Sequence, residues 1–179
     1  KARLADDVEV GPFCTVGEKV ELGAGTRLIS HVVVDGPAVM GKNNVVFPFA
    51  TVGLIPQDLK FAGEETRLVI GDGNRIREAV TIHRGTAGGG GVTTIGNECL
   101  FMATSHVAHD CHVGSHVVMA NGTALAGHVT LGDGCILGGL VGIHQFVRVG
   151  RLSFIGAGAM VAQDVPPFMM AVGDRARLI

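Results

Sequence analysis

Four histidines fall within the short stretch HVAHDCHVGSH, which runs from His106 to His116. Imidazole groups at such close spacing can bind a metal ion, or one of them can act as a general base. Asp110 directly follows His109. On a helix, several of these rings would share one side and would indicate a metal site. The backbone that carries the histidines therefore decides between the two chemistries.

The bulk composition bounds the class of protein. The chain has 179 residues, enough for one domain, with 28 glycines and neither Trp nor Tyr. Apolar residues make up 47% but aromatic residues only 4%, which predicts a narrow interior lined by small and β-branched side chains. A net charge of −2 argues against a nucleic-acid-binding protein. The sequence shows no long apolar run and no apolar signal core, so we expect no membrane span and a cytoplasmic location.

Apolar residues, nearly all of them aliphatic, recur at every sixth position along most of the chain, and we call these positions anchors. The anchors are Leu4, Val10, Val16, Leu22, Leu28, Val34, Met40, Val46, Val52, Ile70, Ile76, Ile82, Ile95, Phe101, Val107, Val113, Met119, Leu125, Leu131, Leu137, Ile143, Val149, Ile155 and Val161. The residue after an anchor is often glycine, and the residue four after it is mostly small or β-branched. A period of six contains the strand period of two, so anchor and anchor-plus-four residues should both point inward.

Hexapeptide repeats of this kind predict an all-β fold in which three hexads make one triangular coil of about 18 residues. The pattern resembles the left-handed parallel β-helix of the hexapeptide-repeat acyltransferases, with about eight coils; the left hand is taken from that resemblance. We expect the residues near the glycines to form the corners, where glycine can adopt unusual φ angles.

Two segments interrupt the period. Residues 54–69 place Asp58 and Glu64 in anchor positions, and residues 86–94 contain four consecutive glycines and shift the phase by one. Both are predicted to leave the coil as loops, where functional residues often lie. We therefore expect one β-helix domain over residues 1–167. Residues 168–179 would be a C-terminal tail, the start of a helical domain largely absent from this chain.

On a β-helix the clustered histidines diverge. His109 lies two residues after an anchor, His112 five after the same anchor and His116 three after the next, so we predict no metal site within one chain. His31, His112 and His116 are predicted to be surface residues. The cysteines are all anchor-plus-four residues and should be inward-facing core residues, not nucleophiles or ligands; they are Cys14, Cys99, Cys111 and Cys135.

Residues 18 apart should lie one above the other on successive coils. This spacing predicts that His109, His128 and His144 climb one face, with His106 at the corner that leads into it. A column of imidazoles beside small residues is hard to explain as core filling. A solvated polar face is the alternative explanation.

Longer strings make the resemblance more specific. In chain order they are QDLKFAGE (57–64), NRIREAVTIHRGT (74–86), HVAHDC (106–111), LAGHV (125–129), HQF (144–146) and AQDVPP (162–167). Together they resemble the UDP-N-acetylglucosamine acyltransferases, the family of the first step of lipid A synthesis. The resemblance implies a homotrimer with active sites between neighbouring β-helices. It also implies transfer of an (R)-3-hydroxyacyl group from acyl carrier protein to the 3-position of UDP-GlcNAc, without a cofactor beyond the phosphopantetheine thioester of the donor.

The resemblance also implies roles for particular residues. His109 would be the general base, Asp110 the residue that orients it, and Gly127 the source of an oxyanion-binding N–H group. The implied substrate-binding residues are Asp58, Lys60, His83, His106, His128, His144 and Gln145. Ala157 would limit acyl-chain length, and no metal is implied.

Several alternatives stay open at this level. The related N-acyltransferase of a later, glucosamine-bearing lipid A intermediate uses the same fold, although QDLK and IHRGT favour the first enzyme. A β-helical zinc carbonic anhydrase would bind metal between subunits. A purely structural β-helix would bind no UDP-sugar. Some relatives of the first enzyme acylate a 3-amino sugar.

Overall fold

The computed structural model describes residues 1–179 and consists almost entirely of short strands. The strands are β1 (Arg3–Leu4), β2 (Glu9–Val10), β3 (Thr15–Val16), β4 (Val20–Leu22), β5 (Arg27–Leu28), β6 (Val33–Val34), β7 (Ala38–Met40), β8 (Val45–Val46), β9 (Thr51–Leu54), β10 (Arg67–Ile70), β11 (Arg75–Ile76), β12 (Thr81–His83), β13 (Val92–Ile95), β14 (Leu100–Phe101), β15 (His106–Val107), β16 (His112–Val113), β17 (Val118–Met119), β18 (Ala124–Leu125), β19 (Thr130–Leu131), β20 (Ile136–Leu137), β21 (Gly142–Ile143), β22 (Arg148–Val149), β23 (Phe154–Ile155), β24 (Met160–Val161), β25 (Met170–Val172) and β26 (Arg177–Leu178). A single-turn 3₁₀ helix spans Ala87–Gly89. None of the helical structure has the length and apolarity that crossing a bilayer requires.

Up to β24, every third strand belongs to the same sheet, so the chain winds through three parallel sheets in turn. The first sheet has the order β1-β4-β7-β10-β13-β16-β19-β22, the second β2-β5-β8-β11-β14-β17-β20-β23-β25-β26, and the third β3-β6-β9-β12-β15-β18-β21-β24. Partner residues in neighbouring coils are mostly 18 apart, as in Val107 with Leu125. This is the left-handed parallel β-helix predicted from the sequence.

The anchors line the interior as the period predicts. Every anchor from Leu22 onward is buried, whereas Leu4 and Val10 are exposed because a neighbouring coil covers them on one side alone. Anchor-plus-four residues also point inward, and the cysteines follow this rule: Cys99, Cys111 and Cys135 are buried and Cys14 is half-buried. Burial raises the pKa of the Cys111 thiol to about 12. The thiol therefore stays protonated and serves as a core residue.

The corners lie near the glycines, as the sequence predicts, but at most coils the glycine after an anchor does not adopt the unusual φ itself. The left-handed conformation falls three residues after the anchor, where glycines such as Gly25 and Gly73 adopt it, as do non-glycine residues including Asp110 (φ 58°) and His128 (φ 64°). The glycine after the anchor is needed because adjacent coils approach closely there. A Cβ atom on Gly96 would lie 2.6 Å from the backbone carbon of Gly114, well inside van der Waals contact.

Two loops leave the coil where the period breaks. The first covers residues 55–66, between β9 and β10, and across it partners are 30 residues apart, as in Ala38 with Leu68. The second, glycine-rich loop covers residues 84–91, between β12 and β13, and its partners are 25 apart. Strands extend into both segments that the sequence assigned to loops, because Arg67–Ile70 and Val92–Ile95 pair with each other.

Two buried asparagines align the coils on either side of these loops. Asn74 donates its backbone N–H and its side-chain amide to Oδ1 of Asn44, at 2.9 and 3.0 Å. Oδ1 of Asn74 accepts the N–H of Cys99 at 2.8 Å. Buried amides that hydrogen-bond to one another in this way specify a single register between neighbouring coils. That register sets the positions of the third-sheet residues described below.

Residues 168–179 continue the sheet structure. β25 adds parallel to β23 in the second sheet, and β26 returns antiparallel to β25. The segment that the sequence suggested as a tail therefore extends the second sheet in this structure.

Candidate active site

His109 and Asp110 lie at the corner between the third and first sheets, directly after β15. The left-handed turn at Asp110 directs consecutive side chains in different directions. The Asp110 side chain is fully buried, whereas the His109 side chain retains 16% of its exposure. The corner thus presents an imidazole to solvent with a carboxylate behind it.

The Asp110 carboxylate receives three hydrogen bonds. Oδ1 accepts the backbone N–H of Thr86 at 2.8 Å, and Oδ2 accepts the Thr86 hydroxyl at 2.6 Å. Nδ1 of His109 lies 2.7 Å from the same Oδ2. Thr93 holds the turn itself, because its hydroxyl oxygen accepts the backbone N–H of Asp110 at 2.8 Å. The carboxylate therefore acts as an acceptor throughout, as an ionised carboxylate does.

This arrangement selects one tautomer of His109. An acceptor at Nδ1 requires that nitrogen to carry the proton, which leaves Nε2 unprotonated and able to take a proton. Thr86 lies in the glycine-rich loop and Thr93 in β13 directly after it, so this segment contacts the dyad. Sequence reasoning did not single out either threonine; Thr86 ends the string IHRGT and could have been noticed there.

Gly127 lies one coil above His109, and the His109 ring packs against it in the space that a side chain would fill. A Cβ atom at Gly127 would lie 2.6 Å from Cε1 and 2.9 Å from Nε2 of His109. Any side chain at residue 127 would therefore displace the imidazole. The backbone N–H of Gly127 donates no hydrogen bond within the chain.

His128 completes a second contact with the dyad. Its ring meets that of His109 edge-on at 5.1 Å and stacks on Phe146 at 4.4 Å, and its Nδ1 lies 3.9 Å from Oδ2 of Asp110. His109, Asp110 and His128 each offer a ligand atom within 4.8 Å of the others, close enough to share a metal ion. However, Thr86 and His109 already occupy the Asp110 oxygens, which favours a hydrogen-bonded dyad over chelation. Sequence reasoning did not identify Phe146.

His83 and His106 form a second histidine pair on the same sheet, with ring centroids 5.4 Å apart. Nδ1 of His83 lies 2.6 Å from the carbonyl oxygen of Ile55, and Nδ1 of His106 lies 2.6 Å from the Thr81 hydroxyl. Burial lowers the pKa of His106 to about 4 and also lowers the pKa of His83. Both rings are therefore neutral near pH 7. His106 lies within β15, not at the corner that the sequence suggested, because its backbone pairs with Thr81 and Ala124.

The depressed pKa of His106 predicts acid sensitivity. In the unfolded chain the imidazole takes a proton near its ordinary pKa of 6.5, but in the folded protein it does so only near 4. The neutral His106 ring therefore contributes to the free energy of unfolding, and this contribution is fully present above pH 6.5. It falls by about 1–3 kcal/mol as the pH is lowered toward 4. In urea unfolding between pH 4.5 and 7.5, His106→Gln should show a shallower fall in the free energy of unfolding than the parent protein. His112→Gln, at an exposed histidine, is the control and should keep the parent slope; a parental slope in both variants would contradict the assignment.

The structure places the remaining predicted site residues in the first loop and on later coils. Asp58 and Lys60 lie in the first loop, where Oδ1 of Asp58 accepts the Lys60 backbone N–H at 3.0 Å. His144 and Gln145 are exposed, and Nδ1 of His144 is 3.1 Å from the Gln145 carbonyl oxygen. His144 does not join the ring contacts of His109 and His128, because it lies in register with Ala126, and Gln145 with Gly127. Ala157 is exposed at the corner between the second and third sheets.

A groove of about 380 Å³ runs along the outer face of the third sheet beside these histidines. His106 lies at one end and Met160 at the other, with Ala124 and Gly142 between them on successive coils. His144 also lines the groove, from the adjacent column of residues that contains Ala126. The site thus combines a histidine–aspartate dyad, neutral histidines and an elongated apolar groove.

Comparison with known proteins gives the family. The sequence matches no protein-family model. Among solved structures, LpxA from Acinetobacter baumannii is 48% identical, with 99% of this chain and 69% of that chain covered and a TM-score of 0.99. The UDP-N-acetylglucosamine O-acyltransferase of Moraxella catarrhalis is 46% identical with the same coverage and TM-score. The UDP-N-acetylglucosamine acyltransferase of Arabidopsis is 36% identical, with 99% and 72% covered and a TM-score of 0.82. Such identity over nearly the whole chain, on the same coil, shows that this protein belongs to the UDP-N-acetylglucosamine acyltransferase family.

Proposed function

We propose that the protein transfers an (R)-3-hydroxyacyl group from acyl carrier protein to the 3-hydroxyl of UDP-GlcNAc, the first step of lipid A synthesis. The observation that carries the proposal is the His109–Asp110–Thr86 hydrogen-bond chain beside an apolar groove. The solved relatives named for UDP-N-acetylglucosamine acylation support the acceptor. A cytoplasmic location is part of the proposal, since sugar nucleotides and carrier-bound acyl thioesters are made there.

His109 is the general base in this mechanism. Its Nε2 removes the proton of the sugar 3-hydroxyl as the oxygen attacks the thioester carbonyl carbon. A C–O bond forms, the tetrahedral intermediate collapses, the C–S bond breaks, and His109 returns the proton to the leaving sulfur. Asp110 stabilises the imidazolium that exists between these two proton transfers. Burial raises the pKa values of the Cys99 and Cys111 thiols, which makes them poor nucleophiles and favours direct transfer over an acyl-enzyme.

Gly127 supplies the oxyanion donor. Its N–H is free of partners within the chain, and its lack of a side chain keeps His109 close by. A backbone N–H directed at the developing oxyanion is worth about 3–4 kcal/mol in comparable acyl transfers. The base and the oxyanion donor would thus act on two atoms of one tetrahedral centre.

The other histidines bind the acceptor in this proposal. His83 and His106 are neutral because burial lowers their pKa values, so each offers a ring nitrogen to sugar hydroxyls without charge. His128, His144, Gln145, Asp58 and Lys60 are assigned to substrate binding with them. The reaction requires no cofactor beyond the phosphopantetheine thioester of the donor.

A homotrimer is part of the proposal. The outer face of the second sheet carries an apolar column on successive coils, formed by Leu100, Val118, Ile136, Phe154 and Met170. Ile136 and Phe154 are 44% and 40% exposed in the single chain. An apolar face of this extent is typical of a surface that a protein partner covers.

Ile136→Glu tests this interface. A charge at the centre of a buried apolar contact should shift the assembly from trimer to monomer, measured by light scattering after size exclusion. Val39→Glu is a matched control, because Val39 is also 44% exposed but lies on the outer face of the first sheet. A trimer that persists in Ile136→Glu, or a parent protein that is already monomeric, would contradict the proposed assembly.

The proposed reaction is tested by mass spectrometry of UDP-GlcNAc incubated with 3-hydroxyacyl carrier proteins of several chain lengths. We expect a product heavier by one hydroxyacyl group, with an ester at the 3-position. An unchanged UDP-GlcNAc peak, with product from a 3-amino sugar nucleotide instead, would show that the acceptor is the amine. About one bound zinc per subunit, with no acylated product, would support the carbonic anhydrase alternative and reject the proposal.

A further inference from the structure

The glycine-rich loop packs its backbone against the Asp110 carboxylate. Its single 3₁₀ turn, Ala87–Gly89, lies beside that side chain, which has no remaining exposure to solvent. A Cβ atom on Gly89 would overlap the carboxyl carbon and both oxygens of Asp110, and one on Gly85 would lie 2.8 Å from Oδ1. Two missing side chains therefore let the loop close over the carboxylate and exclude water from it.

The other glycines of the loop make no such contact. Gly88 belongs to the same turn, yet a Cβ atom there would have no neighbour within 4 Å. Gly90 and Gly91 also face open space, but their φ angles of 94° and 81° explain why glycine is present. Neither Gly88 nor Gly89 adopts the left-handed conformation, so alanine suits the backbone at both. The contact with Asp110 is what distinguishes Gly89 from its neighbour.

Thr86 ties the loop to the carboxylate. In addition to its two hydrogen bonds to Asp110, its carbonyl oxygen accepts the N–H groups of Gly89 and Gly91, at 3.1 and 2.8 Å. One buried residue thus shapes the turn and also donates to Oδ2, the oxygen that faces His109. A carboxylate without access to water depends on such protein donors to stay ionised and to keep its orientation.

We propose that Thr86 and Gly89 are positioning residues of the reaction: they keep the Asp110 carboxylate closed to water and turned toward Nδ1 of His109. This inference rests on the proposed function, in which His109 removes the proton of the acceptor hydroxyl. Both residues act through Asp110, and neither contacts the substrate in this scheme. Because water is excluded, no solvent molecule competes with the imidazole for Oδ2. The carboxylate also interacts more strongly with the imidazolium than it would in water.

Gly89→Ala should reduce turnover although it adds a single methyl group. The methyl group and the carboxylate cannot occupy the same space, so the turn or the carboxylate must move, and a shift of about 1 Å near a reacting group costs about 10²-fold. We expect that loss in kcat, with the KM for UDP-GlcNAc unchanged, because this turn does not hold the acceptor. Gly88→Ala is the matched control: it adds the same methyl group to the same turn, into open space, and should keep the parental kcat.

Thr86→Val tests the hydroxyl separately. Valine keeps the shape of the side chain and the backbone N–H, but it removes one of the two side-chain donors to Oδ2, which should lower kcat about 10- to 10²-fold. Thr86→Ser restores the hydroxyl and should recover most of the parental rate. Thr66→Val is the control, because Thr66 is also buried but its hydroxyl has no partner. Thermal unfolding checks that every variant is folded.

The ring of His109 provides a readout that general damage to the loop would not change. Nitrogen NMR shifts should place the proton on Nδ1 in the parent protein, in Gly88→Ala and in Thr66→Val. In Gly89→Ala and Thr86→Val the proton should be shared between both ring nitrogens, because Oδ2 no longer fixes it. The measurement is made on the resting protein, so it does not depend on turnover.

The outcomes separate this inference from the proposed function. An active parent protein whose kcat and ring tautomer change in Gly89→Ala and Thr86→Val, but not in the controls, supports both. Folded Gly89→Ala and Thr86→Val proteins with the parental kcat and tautomer overturn the positioning role and leave the proposed reaction standing, and so does an equal loss in Gly88→Ala. A folded parent protein that acylates UDP-GlcNAc from no acyl carrier protein overturns the proposed reaction, and the inference with it.

Discussion

Replacement of His109 by alanine should reduce the rate of acyl transfer by about 10²–10⁴-fold while the fold is retained. The imidazole lies at a corner, retains 16% of its exposure and makes one hydrogen bond within the protein, to Oδ2 of Asp110. Its loss removes the only group whose free nitrogen is directed away from Asp110 and toward Gly127. Turnover under saturating UDP-GlcNAc and acyl carrier protein, followed by mass spectrometry, measures the effect.

His112→Ala is the matched control for this loss. His112 lies three residues further on, in β16, and is exposed, with the Thr94 hydroxyl as its partner. It should retain the parent rate, and both variants should show the parental unfolding temperature. A folded His109→Ala protein with near-parental turnover would reject His109 as the base.

Asp110→Asn should lower turnover by a similar factor, up to about 10⁴, although the shape of the side chain hardly changes. The asparagine can still accept the Thr86 N–H through its oxygen. Its NH₂ group then faces Nδ1 of His109 and donates to it, so the imidazole proton moves to Nε2. The nitrogen that should take the sugar proton would then already carry one.

The control and readout for Asp110→Asn follow from this tautomer argument. Asp133→Asn changes an exposed carboxylate that accepts the backbone N–H of Ser115, and it should leave turnover unchanged. Nitrogen NMR shifts of the His109 ring should report the tautomer directly, with the proton on Nδ1 in the parent protein and on Nε2 in the variant. A variant that keeps both the parental tautomer and the parental rate would show that Asp110 does not position the base.

Much of the architecture could be predicted from the sequence, because the fold repeats one local rule. Because an aliphatic residue recurs at nearly every sixth position, each strand buries its side chains in the same way. Each coil then packs only on its neighbours, so further coils need no new kind of long-range contact. The inward direction of Cys99, Cys111 and Cys135 followed from the same phase and is confirmed. Departures from the period at Asp58 and at the four glycines located both loops.

The corner geometry could not be predicted from the same rule. The frequent glycine after each anchor suggested that it supplies the unusual φ, but residues such as Asp110 and His128 adopt the left-handed conformation instead. The glycines are needed because neighbouring coils nearly touch there. The sequence pattern shows that glycine recurs at this position. It does not show why, because the close contact that requires glycine is made with the neighbouring coil, usually 18 residues away.

The sequence by itself determined the period, the coil, the family and the adjacency of His109 and Asp110, since these depend on residue types at fixed local spacings. Only the tertiary structure decided which neighbours complete the chemistry. Thr86 reaches Asp110 across 24 residues, and the His83 ring meets the carbonyl oxygen of Ile55 across 28. The physical reason is that stacking brings together residues whose separation in sequence is set by two loops of irregular length, and no local pattern encodes which side chains meet there.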